Sequence, residues 1–213
     1  MFKWRGVRLN LVRAILAAPL FLGSPIVLAQ QQSAQGGVQA GYVLVNQAAP
    51  PRPGFLDSVL PGARLAGLGE LKFFGFKIYD AQLWMAQRVG ASLPPDPTKI
   101  LEQSFALDLR YARNLKGEEI AERSLSEMRR LGFGDEARQE RWLADMKRIF
   151  PSVSRGDRIT GLYQPGGATR FFFNEKAIGQ IDEAEFGIAF FNIWFDPRTR
   201  APALRDALMK APH

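Results

Sequence analysis

The sequence predicts an α+β fold, an antiparallel sheet with helices layered on one face. Strand-like stretches come in blocks, two before residue 112 and three between residues 158 and 181. Helical patterns come in pairs after each block, which argues against the strict alternation of a parallel βαβ sheet. The turn signals Pro165-Gly166-Gly167 and Asn174-Glu175-Lys176 are short enough to send the chain back antiparallel.

Residues 65–85 dominate the first block. They hold three glycines, no proline, and a dense run of aromatic, β-branched and leucine side chains, a composition that favours strand. They read as one long strand, bent or bulged at its glycines. Alternation puts Phe74, Phe76, Ile78 and Trp84 on one face, assigned to core. Gly75, Lys77, Tyr79, Ala81 and Leu83 fall on the other, a mixed face suited to the wall of a cavity.

The remaining elements follow in order. Phe55 to Leu60 reads as one docked turn of helix. Phe105, Leu107, Leu109 and Tyr111 alternate with Asp108 and Arg110, the pattern of a half-buried strand. A helix follows Asn114–Lys116, with Glu118 and Glu119 in its first turn and Arg129 and Arg130 in its last, both matched to its dipole. Ile120, Ser124, Met128 and Leu131 mark its inner face, and Gly132 its stop. Glu118, Glu119 and Glu127 read as charges on the helix surface. Gly134-Asp135 opens a second helix, with Trp142, Met146 and Ile149 inward and Pro151 ending it.

Residues 158–163, 169–173 and 177–181 then form a meander. Asp182 and Glu185 have the spacing of a capping box for the helix over 183–195. That helix is apolar nearly all round, so it is buried or lines a pocket. Asp196-Pro197 stops it, and residues 201–209 form a short amphipathic final helix.

Composition excludes several chemistries. The 213 residues include no cysteine and one histidine, His213. Disulfides, thiolate nucleophiles, Cys/His zinc sites and Ser-His-Asp triads are therefore ruled out, and no Walker or dinucleotide-binding loop occurs. No metal or cofactor is expected. Of 28 basic side chains, Lys3, Arg5, Arg8 and Arg13 lie in residues 1–29, which hold no acid; 24 basic against 21 acidic remain. The net charge of +7 is thus concentrated at the N-terminus, and no nucleic-acid partner is expected. The basic start, the apolar run from Ala14 to Ala29 and the small residues Val27 and Ala29 read as a secretory signal cleaved after Ala29. The expected organisation is a signal peptide over 1–29, a flexible linker and docking segment over 30–60, with 41–45 able to form a short edge strand, and one domain over 61–213. The expected location is periplasmic or secreted, with membrane contact only through the signal before cleavage.

Taken in order, several stretches resemble the chalcone isomerase-like family in its bacterial exported branch. They are Phe74-Gly-Phe-Lys-Ile-Tyr-Asp-Ala-Gln-Leu-Trp84, Leu107-Asp-Leu-Arg-Tyr111 with Leu115-Lys-Gly-Glu-Glu119, Gly156-Asp-Arg-Ile-Thr160, Phe171-Phe-Phe-Asn174 and residues 185–194. The resemblance implies an open-faced β-sandwich, a curved antiparallel sheet under helices with a cleft between them. It also implies two functional classes, enzymes that cyclise chalcones and fatty-acid-binding relatives. The enzyme's strand threonine falls on Tyr79, its helix tyrosine and asparagine on about Ile120 and Glu127, and its later threonine on about Ile193. Ile120 and Ile193 cannot supply the polar network of cyclisation, and Glu127 would oppose a bound anion.

Tyr79 matches the fatty-acid-binding form, in which an arginine and a tyrosine hold a carboxylate. The nearest cations here are Arg64 and Lys72, and Lys72 reaches the Tyr79 face only across a bulge. The candidate ligand-binding residues are therefore Tyr79, with Lys72 or Arg64 as anion partner, and Ile120, Phe190, Ile193 and Trp194 as apolar lining. No catalytic residue is assigned. The favoured reading is a non-catalytic envelope protein that binds a small apolar or acyl ligand. The alternatives are a structural or interaction protein without ligand, and a cofactor-independent isomerase or lyase.

Overall fold

The computed structural model describes residues 52–86 and 95–210. The expected signal, linker and edge strand, and Leu93 and Pro94 of the Leu93–Pro97 loop, lie outside the described residues. Six strands form one antiparallel sheet in the order of the chain: β1 (Arg64–Phe73), β2 (Phe76–Met85), β3 (Phe105–Tyr111), β4 (Arg158–Tyr163), β5 (Thr169–Phe173) and β6 (Lys176–Ile181). The helices are α1 (Leu56–Val59), α2 (Gly117–Leu131), α3 (Glu136–Ile149), α4 (Ala184–Phe195) and α5 (Pro202–Leu208). The expected α+β class is present, with α2–α5 layered on one face of the sheet.

The main core lies between one sheet face and α2–α5. Tyr79, Ala81 and Leu83 of β2 and Phe105, Leu107 and Tyr111 of β3 meet Leu125, Met146, Phe186, Phe191 and Leu208 there. Burial of these apolar side chains, each contributing about 1.5–3 kcal/mol, holds the layers together. A smaller cluster covers part of the other face, where α1 lays Leu56 and nearby Leu60 over Trp84, Ala106, Leu162 and Phe172. Beneath α5 the sheet carries Gly67. A Cβ there would stand 2.0 Å from the Leu208 carbonyl oxygen, so only glycine lets helix and strand approach this closely.

The structure corrects the sequence reading at four places. Residues 65–85 are a hairpin, not one strand. Phe73 pairs with Phe76 across a two-residue turn in which Phe74 (φ 47°) and Gly75 (φ 80°) are both left-handed. Both central φ values are positive, as in a type I′ turn; the usual Asn-Gly signal was hidden by a phenylalanine. As a result Phe74 and Phe76, assigned to core, are exposed at the tip, while the Tyr79 face packs under the helices.

β3 is buried on both faces as far as Leu109, because Asp108 finds partners within the sheet. The capping box does not form. Asp182 accepts from Gln180 at 2.6 Å, while Arg138 of α3 bonds Glu185 and ion-pairs with Glu183 at 3.3 Å. Glu127, read as a surface charge, is buried among Arg123, Arg130 and Arg200 at 3.1, 2.8 and 3.2 Å. Glycine does stop α2: Gly132 is left-handed and closes the helix onto Met128 and Arg129.

Candidate functional site

The register of β2 on β3 sets Tyr79 directly opposite Tyr111 on the helix-covered face. Their rings meet edge to face at 5.8 Å. From the opposite layer, α4 brings Trp194 onto the pair, and its indole N–H donates to the Tyr79 hydroxyl at 3.0 Å. Phe186, Phe190 and Trp194 recur every four residues along α4, so their rings form one continuous stripe, with centroid spacings of 5.4 Å for each successive pair. Three hydrogen-bonding groups thus converge inside an aromatic layer.

Their bonding capacity is only partly used. No described residue accepts the Tyr79 proton, and the Tyr111 hydroxyl makes no hydrogen bond among the described residues. A hydroxyl can both donate and accept, so the two neighbouring phenols keep capacity that water or a polar atom of another molecule can use. Burial pushes the Tyr79 hydroxyl well above its ordinary pKa of 10.0, against the smaller effects of the Trp194 hydrogen bond and the charge of Arg123. Burial also raises Tyr111, and the neighbouring Tyr79 adds to the rise. Both phenols stay protonated at neutral pH and act as donors.

The other predicted residues fall in three places. Phe190 and Trp194 lie in the aromatic stripe, and Ile120 and Ile193 are half-buried against the main core. Lys72 does not reach Tyr79. There is a bulge, but it lies on β2: Leu71 pairs with Tyr79 while Lys72 pairs with Lys77, leaving Ile78 extra. Lys72 bonds Glu70, and Lys77 lies 3.6 Å from Glu70 and 2.5 Å from Asp80, so these four charges share the face away from Tyr79. Arg64 pairs with Met85 at the other end of β2, roughly 20 Å along the strand.

Sequence reasoning missed Tyr111 and Arg123. Tyr111 was placed on the inner face of its strand, but its pairing with Tyr79 needs the register of two strands. Arg123 sits on α2, in sequence far from the strand where a cation was sought, and it is held by the buried Glu127.

A second polar cluster occupies the opposite sheet face. Asp108, 1% exposed, accepts from Thr160 at 2.7 Å and from the Arg158 guanidinium, with one bond at 3.0 Å. Gln82 bridges from Arg158, at 3.5 Å, to the Trp84 indole at 3.1 Å. This network joins three central strands. Further along that face, a groove of about 380 Å³ opens beside Val59, Arg170, Phe172 and Gln180.

One antiparallel sheet roofed by helices, with Tyr79 and Tyr111 on the roofed face, defines an open-faced β-sandwich. The chain belongs to the chalcone isomerase-like family, whose model matches residues 63–210. No curated protein matches it. Among solved structures it is similar to a fatty-acid binding protein of Arabidopsis thaliana, at 11% identity and a TM-score of 0.53, over 70% of this chain and 87% of that one. At that identity the likeness concerns the fold.

Proposed function

We propose that this protein is a non-catalytic binding protein of the cell envelope that takes a small amphipathic, fatty-acid-like molecule between sheet and α4. The observation that carries this reading is the spare hydrogen-bonding capacity of Tyr79 and Tyr111 within an otherwise apolar layer. Two protonated phenols donate to a carboxylate or carbonyl oxygen, and the Arg123 charge favours an anion. Phe190, Trp194, Ile193 and Ile120 supply an apolar surround for a chain. The fold shared with a fatty-acid binding protein supports the same ligand class. Against catalysis stands the chemistry of the site: phenols held far above neutral pKa serve poorly as bases, and the isoleucines give no polar handle. The N-terminal signal pattern supports export.

The test is to purify the protein from its own cells, extract it, and identify bound molecules by mass spectrometry. An amphipathic molecule with an oxygen-bearing head is expected. Calorimetric titration with a long-chain fatty acid should show binding that Tyr79→Phe with Tyr111→Phe weakens about tenfold, as for lost hydrogen bonds to a charged group. An empty extract together with no binding of any fatty acid overturns the proposal. N-terminal sequencing of the protein from a periplasmic fraction should begin after Ala29; an intact Met1 there would overturn the cleavage, and absence of the protein from that fraction would overturn the export reading.

A further inference from the structure

The β1–β2 turn presents three phenylalanines to solvent. Phe73 is 58% exposed, Phe74 86% and Phe76 69%, and the rings of Phe73 and Phe74 lie 4.5 Å apart. Isolated exposed apolar residues are ordinary, but three contiguous rings at the apex of a hairpin are not. The backbone adds a second observation. Phe74 holds φ 47°, a conformation suited to Asn, Asp or Gly and costly for a bulky residue. The turn would be more stable without the ring, and the ring makes little core contact in return. A strained residue that is also, among the described residues, the most exposed large apolar side chain points to a role outside the fold.

The charge around the tip indicates what it meets. At the same end of the sheet, β3 runs out at Tyr111 and β4 begins at Arg158. Arg110, Arg113 and Arg155 are exposed there, and none makes an ion pair among the described residues. The nearby acids are largely occupied: Glu70 and Asp80 by Lys72 and Lys77, and Asp157 by Asn174 and the Ser154 N–H at 2.9 and 2.7 Å. Exposed Glu175 sits beside exposed Lys176 in the β5–β6 turn. An apolar apex flanked by unpaired arginines is complementary to a lipid interface with anionic head groups. The shape agrees. A two-residue turn is convex, so a protein partner would need a ready pocket for three rings, whereas a bilayer yields around them.

We infer that the Phe73–Phe76 tip is a membrane-docking finger: its rings enter the interfacial region of an anionic bilayer while Arg110, Arg113 and Arg155 meet the head groups. This is a peripheral contact of the folded domain, separate from the apolar N-terminal segment. It goes beyond the ligand reading and does not require it. The two are compatible in space, because Tyr79 lies three residues along β2 from Phe76.

The absence of cysteine allows a local test on the whole chain. Phe73→Cys and, at the opposite end of the sheet, Gln164→Cys each carry one environment-sensitive fluorophore. Vesicles of phosphatidylethanolamine with one-third phosphatidylglycerol are expected to blue-shift and brighten the label at 73 and leave that at 164 unchanged. Adding Phe74→Asn with Phe76→Ser should weaken the response about tenfold, and Arg110→Glu with Arg113→Glu should abolish its dependence on anionic lipid. Misfolding does not confuse the result, since asparagine suits the left-handed turn and the melting temperature of Phe74→Asn should not fall. A label at 73 that ignores vesicles overturns the inference. So does a label that responds to protein concentration without lipid, which would make the tip a contact between copies of the chain.

Discussion

The indole N–H of Trp194 and the hydroxyl of Tyr79 meet at 3.0 Å across the boundary between α4 and β2. This bond ties the last turn of the most apolar helix to the strand beneath it. It also orients the Tyr79 hydroxyl, leaving its proton for another acceptor. The position of the helix and the chemistry of the site are therefore set by one contact.

Breaking that bond from either side should destabilise the fold. Trp194→Phe and Tyr79→Phe each leave one buried partner unpaired, with an expected loss of about 1–3 kcal/mol. The double variant should lose less than the two single losses combined, because no orphan group remains. Urea denaturation of all four proteins measures the coupling; additive losses would mean that the bond adds nothing to stability.

The Asp108–Arg158 pair predicts a larger effect on the other face of the sheet. Asp108→Ala removes the acceptor of Arg158 and Thr160 together. It should cost about 3 kcal/mol, the lower end for a broken buried pair because Arg158 retains some access to water. The urea midpoint should fall with little change in slope.

Gly67→Ala should separate α5 from the sheet. Its methyl group would meet the Leu208 backbone carbonyl at 2.0 Å, which no side-chain rotation relieves. An expected loss of about 2 kcal/mol follows from overpacking, with faster amide exchange in α5. The same change at Gly54, where nothing lies within 4 Å, is the control.

Alkaline titration should expose the two phenols. Tyr79 and Tyr111 have folded pKa values above their ordinary 10.0. Their contribution to stability is complete below pH 10 and declines as pH rises past the unfolded value, because only the unfolded chain releases these protons there. Absorbance near 295 nm should show both ionising with cooperative unfolding and not before. Ionisation of either phenol in the still-folded protein would contradict the burial described here.

The elements that were legible in the sequence are those with a local signature. The pairing of acidic and basic helix ends marked α2, Asp135 marked the start of α3, and the Pro-Gly-Gly turn marked the β4–β5 hairpin. The density of aromatic residues marked α4 as buried. The hairpin at Phe74-Gly75 was not legible, because its left-handed turn carries a phenylalanine in place of asparagine and the strand composition runs through it unbroken. Glu127 looked like a surface charge because a helical wheel cannot show that Arg200, from beyond the next helices, returns to cover it.

By itself the sequence determined the α+β class, the order of the helices and of the later three-strand meander, and the lack of cysteine thiols, while Tyr79 as a candidate ligand residue came from the family resemblance. The class and the elements follow from periodicity, helix-end signals and composition, which act over a few residues at a time. Only the tertiary structure decided what stands beside Tyr79. Strand register set Tyr111 opposite it, helix docking brought Trp194 onto it, and the bulge fell on β2, leaving Lys72 on the far face. Such neighbours are chosen by pairing and packing between segments distant in the chain, and a shift of one residue in strand register would turn Tyr111 or Lys72 to the other side of the sheet.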